Sequence, residues 1–388
     1  MTRPFRRITL YLPGFDPFPA RRYREIYRRE AALQAQLSGY SLTMRPGTGI
    51  RGYGWRTEAA FAEGTAETRI EVLLWEDLVR SSMQGGVFSP YLHLARTAWI
   101  YATTGTLWRL MRLRRGPVLT TLYPIGVLMA QMLAMLLLIW LGWQMAGVIG
   151  LVVGLAAAWL SAQGFRRLDR WLYAHYLMQD FAFTGQARGV YPPALETRLT
   201  QFTDRLQAAL AEDVDEVLVV GHSSGAYLAV SVVADLLRRD TDRTPALALL
   251  TLGQVVPMAS FLPRANRLRD DLNLLSESTG LFWLDVSAPG DACCFGLCDP
   301  VAVSGMAGAG QRWPLVISAA FTQTLSPQLQ RRLRGRWFRL HFQYIHAFDR
   351  PGDYDYFAIT AGPKPLAQRF AGRAPSPGRI VKPIGARR

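Results

Sequence analysis

Short apolar runs alternate with amphipathic stretches along most of the chain. Arg7 to Leu12 is apolar and β-prone and stops at Pro13-Gly14. Pro19 to Leu37 repeats with a helical period, which predicts a helix with Ile26, Leu33 and Leu37 on its buried face. Arg69 to Trp75 reads as a strand. Leu195 to Leu210 reads as an amphipathic helix carrying Leu195, Leu199, Phe202, Leu206 and Leu210 on one face. Glu216 to Val220 is a strongly apolar strand, Ala226 to Leu237 a helix, and Ala246 to Leu252 and Leu281 to Val286 two further strands. Strands alternating with helices predict an α/β layer fold with a mostly parallel sheet.

One segment departs from that pattern. From Gly116 to Phe165, 50 consecutive residues include no Lys, Arg, Asp, Glu or His. A bilayer core is about 30 Å thick and takes about 20 apolar helical residues, so this run holds two spans, Leu119 to Leu141 and Ala146 to Gln163. The first contains eleven Leu, Ile or Val residues. The second carries small residues every four positions (Ala146, Gly150, Gly154, Ala158, Ala162), a face that lets a partner helix approach closely. The two are expected to pair as a hairpin turning at Gly142, Trp143 and Gln144, with a kink at Pro124. Arg96, Arg109, Arg112, Arg114 and Arg115 precede the run, and Arg166, Arg167 and Arg170 follow it. Arginines on both flanks place both ends on the cytoplasmic side of the inner membrane. Met1 to Tyr11 has no long apolar core, so no signal peptide is expected. The chain then divides into 1–92 and 179–370, two parts of one globular domain, a membrane insertion over 93–178, and a flexible basic tail over 371–388.

Composition narrows the function. Half of the 388 residues are apolar and 19% are charged, which excludes disorder for most of the chain. Lys plus Arg is 44 against 29 for Asp plus Glu, a net +15, and the only lysines are Lys364 and Lys382. Such charge suits nucleic acid or an anionic membrane surface. No zinc-finger or RNP-type signature is present, and arginines crowd beside the uncharged run, so the expected partner is membrane lipid and not nucleic acid. Three cysteines do not make a disulfide scaffold, and five histidines without close pairs do not make a zinc site. Cys293, Cys294 and Cys298 read as buried small hydrophobes. Without a P-loop or a strand-linked G-x-G-x-x-G, no cofactor is implied.

The chemistry centres on Gly221-His222-Ser223-Ser224-Gly225, a G-x-S-x-G string between the apolar Val217 to Val220 and the helix start at Ala226. Strand, sharp turn and helix are the setting of a nucleophile elbow, with Gly221 and Gly225 permitting the tight turn and Ser223 as nucleophile at a helix N-terminus. The backbone amide of Ser224, the next residue, is then a candidate oxyanion donor.

This string in this setting resembles the α/β-hydrolase superfamily, whose esterases, lipases and thioesterases widely carry Gly-His-Ser-x-Gly. Leu12-Pro13-Gly14-Phe15, His341-Phe342-Gln343-Tyr344 and Tyr354-Asp355-Tyr356-Phe357 resemble a bacterial subgroup with a transmembrane insertion. The resemblance implies an α/β-hydrolase-type sheet flanked by helices, and a triad in the order Ser, acid, His. It implies a second oxyanion donor after the first strand, assigned to Phe15 with Gly14 as hinge. The acid should follow a downstream strand, which selects Asp291, with Asp285 and Asp299 as alternatives. Of the histidines beyond it, His341 is chosen as base and His346 is the alternative. His222 would point away from its neighbour, and His93 and His175 precede the nucleophile. Trp75-Glu76-Asp77 ends a strand, where it either contacts substrate or caps a helix through Asp77. Tyr354 to Phe357 either shapes the pocket or packs. The expectation is a membrane-anchored serine hydrolase that cleaves an ester or thioester, lipid-like acyl esters included, through a Ser-His-Asp triad and an acyl-enzyme. The competing readings are a non-catalytic scaffold or receptor with the same fold and a serine acyltransferase.

Overall fold

Eight strands form one sheet in the order β2-β3-β4-β1-β5-β6-β7-β8. They are β1 Phe5–Leu12, β2 Ser41–Pro46, β3 Tyr53–Phe61, β4 Gly64–Val72, β5 Glu216–His222, β6 Ala246–Leu252, β7 Phe282–Ser287 and β8 Leu315–Ser318. The computed structural model describes residues 3–47, 52–86, 88–239 and 246–384. From β4 through β1 to β8 all neighbours run parallel; β2 and β3 add an antiparallel edge.

Period-two alternation along the central strands feeds two apolar layers. Ile8, Leu10, Val217, Val219, Leu249 and Trp283 enter one, and Tyr11, Leu218, Val220, Leu250, Leu284 and Val286 the other. Helices cover both faces, which is what a parallel sheet of near-continuous apolar strands requires. At the start of the two central strands, buried Arg7 pairs with Glu216 at 2.5 Å and donates to the carbonyls of Gly362 and Lys364, while Glu216 accepts from the Leu366 amide. This satisfied ion pair ties the C-terminal segment to the sheet.

Four expectations change. The first helix, Arg21–Ser38, buries Tyr23, Tyr27, Ala31 and Ala35, whereas Leu33 and Leu37 are exposed. Small alanines beside tyrosines that pack on Tyr11 and Trp55 fit the sheet better than the leucines do. The edge strands β2 and β3 and the short β8 were not expected; β2 and β3 alternate with so many polar residues that they lack a strong apolar signal.

The uncharged run lies in the helical segment Arg115–Leu172, the one helix among the described residues long and apolar enough to cross a membrane. Its backbone leaves helical geometry at Ala146 and Gly147, where φ of Gly147 is +54°. The two arms lie side by side. Gly142 abuts Gly150 and Leu138 abuts Gly154, Met135 packs with Ala158 and Ala162, and Tyr123 Oη donates to the Leu172 carbonyl at 3.1 Å. The break in helical geometry therefore sits at Ala146–Gly147, beyond the expected Gly142, Trp143 and Gln144: Gly147 lacks a Cβ and takes the positive φ without penalty, whereas Gly142 is packed inside the contact with Gly150. Leu133, Trp140, Ile149, Val152 and Leu160 are all exposed.

The tail is docked where it is described. Ile380 exchanges backbone bonds with Leu297 and Asp299, Ile384 donates to Val303, and Ser376 bonds Val316 and Ser318. Both isoleucines pack against the core, so main-chain pairing and apolar anchors replace the expected flexibility. Residues 385–388 lie outside the described residues.

Candidate active site

Because β1, β5, β6 and β7 are parallel, their C-terminal ends open on one edge, where open α/β sheets place their functional loops. At the end of β5, Ser223 adopts φ +57°, a left-handed conformation that costs a non-glycine residue about 1–2 kcal/mol. The flanking glycines are sterically required. A Cβ on Gly221 would lie 2.6 Å from the Gly225 carbonyl oxygen, and one on Gly225 would collide with the carbonyls of Leu12 and Pro13. The hydroxyl of Ser223 thus sits on a sharp turn at the N-terminus of the helix Gly225–Arg238.

The loop after β7 delivers Asp291, and the short helix Trp337–His341 delivers His341. His341 Nδ1 and Asp291 Oδ2 are 2.7 Å apart. Tyr344 Oη also donates to Asp291 Oδ2 at 3.0 Å, and the Cys293 amide donates to Oδ1 at 2.9 Å. Burial alone would push this carboxyl up; the facing imidazole and the hydrogen bonds outweigh it and hold Asp291 below the ordinary carboxylate range. Gly253, with φ +50°, makes room, since a Cβ there would lie 2.6 Å from the Tyr344 ring and 3.1 Å from His341 Cε1.

His222 acquires a role that the sequence did not suggest. Its Nε2 donates to the His341 carbonyl at 3.1 Å. Burial, helped by the neighbouring His341, pushes His222 down to about 3, so it is a permanently neutral strut beneath the candidate base.

Ser223 and His341 face the same cavity of about 310 Å³. The Ser223 hydroxyl makes no hydrogen bond among the described residues; the side-chain bond that His341 makes is to Asp291. The loop from Pro13 to Asp16 lies against Ser223, with Gly14 so close that a Cβ would sit 3.0 Å from Ser223 Cβ. Trp75 Nε1 donates to the Pro13 carbonyl at 3.0 Å and Tyr176 Oη to the Phe15 carbonyl, fixing the segment that carries the Phe15 amide.

The alternatives lie elsewhere. Asp285 is buried in β7 and accepts from Thr251 Oγ1 at 2.6 Å. Asp299 caps the helix Pro300–Val303 through the amides of Val301 and Ala302. His346 Nδ1 is engaged with the Phe342 carbonyl at 2.6 Å. Asp77 does not cap its helix; it forms a forked pair with Arg198 at 2.7 and 2.8 Å. Asp355 caps the helix Tyr356–Ala361, and Tyr354 Oη donates to the Tyr344 carbonyl, so that string packs and positions the loop.

Asp180, on the helix Ala174–Gly185, lines the cavity, and both of its oxygens lie 3.2 Å from Ser224 Oγ. Burial pushes its carboxyl up to about 7, against the lowering effects of the Ser224 hydroxyl and of His341. Its only sequence signal is that it is the one acid between Ala174 and Gly185, which by itself points to no site. More than half of the cavity-lining residues fall between Thr97 and Phe181, including Tyr101, Leu110, Val118 and Ile125. No Lys or Arg lines it among the described residues.

Asp291, Cys293 and His341 bring candidate metal-ligating atoms within 4.8 Å of one another. Burial, reinforced by Asp291, pushes the Cys293 thiol well above its ordinary value, which keeps it protonated, and the imidazole already faces the carboxylate. Compared with known proteins, the chain matches no family model, no curated protein and no solved structure.

Proposed function

We propose that this protein is a serine hydrolase of the α/β-hydrolase type, held at a membrane by an inserted helical hairpin, that cleaves acyl esters or thioesters. The observation that carries the reading is the buried His341–Asp291 pair on the same cavity as a left-handed Ser223 at a strand–helix elbow. Ser223 Oγ would attack the acyl carbonyl carbon while His341 takes its proton. The amides of Ser224 and Phe15 would hold the oxyanion. Collapse of the tetrahedral adduct expels the alcohol or thiol with the proton from His341, and water releases the acid by the same route. Asp291 orients and stabilises the imidazolium.

The cavity suits an acyl chain. Its lining is largely apolar, and its volume is about 310 Å³. The long apolar arms support the membrane tether, since their exposed faces are apolar on both sides of the reversal.

A fluorophosphonate probe tests the reading. Wild-type protein in detergent should be labelled and should hydrolyse a medium-chain chromogenic ester, and Ser223→Ala should lose both. Folded wild type that resists the probe would contradict the proposal and favour the scaffold reading.

A further inference from the structure

A second cavity, of about 480 Å³, adjoins the first. The two share Asp16, Tyr176, Phe338 and Phe342 as lining. Their chemistry differs sharply. The inner one has no Lys or Arg, whereas Arg22, Arg29 and Arg339 line the outer one. Arg22 has its guanidinium over the rings of Phe18 and Phe342, at 4.5 and 5.1 Å. Arg339 is the informative member, because its Nη1 is buried and has no hydrogen-bond partner. A buried guanidinium N–H left unpaired is costly, and the cost is relieved when an anion occupies the site.

The acids nearby are largely engaged. Asp16 accepts from Tyr23 Oη at 2.5 Å and from the Phe18 amide, with Arg22 at 3.7 Å. Glu25 pairs with Arg28, and Glu30 with Arg29 and the Ala347 amide. His346 donates through Nδ1 to the Phe342 carbonyl, leaving Nε2 as an acceptor. Tyr173, which ends the long apolar segment Arg115–Leu172, lines the outer cavity too. The basic cavity therefore lies at the foot of the proposed membrane hairpin, beside the mouth of the acyl chamber.

We propose that the outer cavity binds a phosphate group on the leaving portion of the substrate, so that the enzyme acts on phosphate-bearing acyl esters or thioesters. This rests on the hydrolase reading: the acyl chain occupies the inner cavity, the carbonyl meets Ser223, and Arg339, Arg22 and Arg29 hold the anion. The phosphate takes no part in the covalent steps. It belongs to a lipid headgroup or to a soluble acyl carrier such as coenzyme A, and both present the same chemistry to the arginines.

The test compares three substrates with one acyl chain, using the full chain in detergent. They are a monoacylglycerol, the matching lysophosphatidate and the matching acyl-coenzyme A. Wild type should favour at least one phosphate-bearing substrate over the neutral ester by tenfold or more in kcat/KM. Arg339→Gln should reduce that preference at least tenfold, mainly through KM, and Arg22→Gln should reduce it in the same direction. Preference for lysophosphatidate assigns the lipid source, and preference for acyl-coenzyme A the soluble carrier. Should Arg339→Gln fail to fold, glycerol 3-phosphate and inorganic pyrophosphate must still compete with hydrolysis of the neutral ester by wild type. A protein that hydrolyses the neutral ester at Ser223 but shows neither phosphate preference nor phosphate competition overturns this inference and leaves the hydrolase reading standing. A protein that hydrolyses nothing and resists the fluorophosphonate overturns both.

Discussion

Asp180→Asn gives the most informative perturbation of the site. In the native protein this carboxyl is neutral below about pH 7 and charged above it. It hydrogen-bonds the hydroxyl of Ser224, whose own amide is the candidate oxyanion donor. At an effective dielectric constant of about 20, two unit charges about 6 Å apart interact by about 3 kcal/mol, which sets the scale on which an ionised Asp180 would oppose a developing oxyanion. That corresponds to a rate loss of about 100-fold. The same residue affects stability. Between its ordinary value of 3.8 and about 7, the folded state keeps a proton that the unfolded chain has released, so stability falls as pH rises through this window. The full loss, reached above pH 7, is about 4 kcal/mol. Asparagine keeps the shape and the bond to Ser224 but carries no charge. The assay is kcat/KM on a neutral ester from pH 5.5 to 9, taken as the ratio of variant to wild type. The ratio should rise with pH, with its midpoint near 7, and urea unfolding should show the variant gaining on wild type over the same interval. A ratio that stays flat across that range would refute the argument that a charge beside the oxyanion opposes it.

Two further outcomes follow from the same geometry. Tyr344→Phe removes a hydrogen bond to the Asp291 carboxylate and the partner of the Ala288 amide, and should lower kcat/KM by about 10–100-fold, the range for bonds to charged groups, with the protein still folded by circular dichroism. A topology reporter inserted at Gly147 should be active only on the side of the membrane opposite to one fused after Arg388; the same side for both would eliminate the hairpin.

The parallel half of the sheet was legible because buried strands such as Glu216–His222 and Ala246–Leu252 are continuous apolar runs with little competing pattern. The elbow was legible because its glycines are fixed by backbone contacts within one short segment. The edge strands were not, since Ser41–Pro46 and Tyr53–Phe61 are half solvated and their identity comes from pairing, not from composition. The buried face of Arg21–Ser38 was misread because hydrophobicity ranks leucine above tyrosine and alanine, whereas the sheet surface selects by shape. In the site, order along the chain admits Asp285, Asp291 and Asp299 as the acid and both His341 and His346 as the base; the structure brings Asp291 and His341 to 2.7 Å. Asp180, Tyr344, the strut role of His222 and the arginine cavity depend on contacts between residues far apart in sequence, which no local pattern encodes.

The central claim is that Ser223 becomes acylated with His341 as its base. The most direct measurement is mass spectrometry of the protein quenched in acid during turnover of a chromogenic medium-chain ester, alongside the amplitude of the pre-steady-state burst. The account predicts a burst approaching one equivalent per chain and an acyl mass on the peptide that contains Ser223, with both lost in His341→Ala. An acyl mass on another residue, or turnover that persists undiminished in Ser223→Ala, would contradict it.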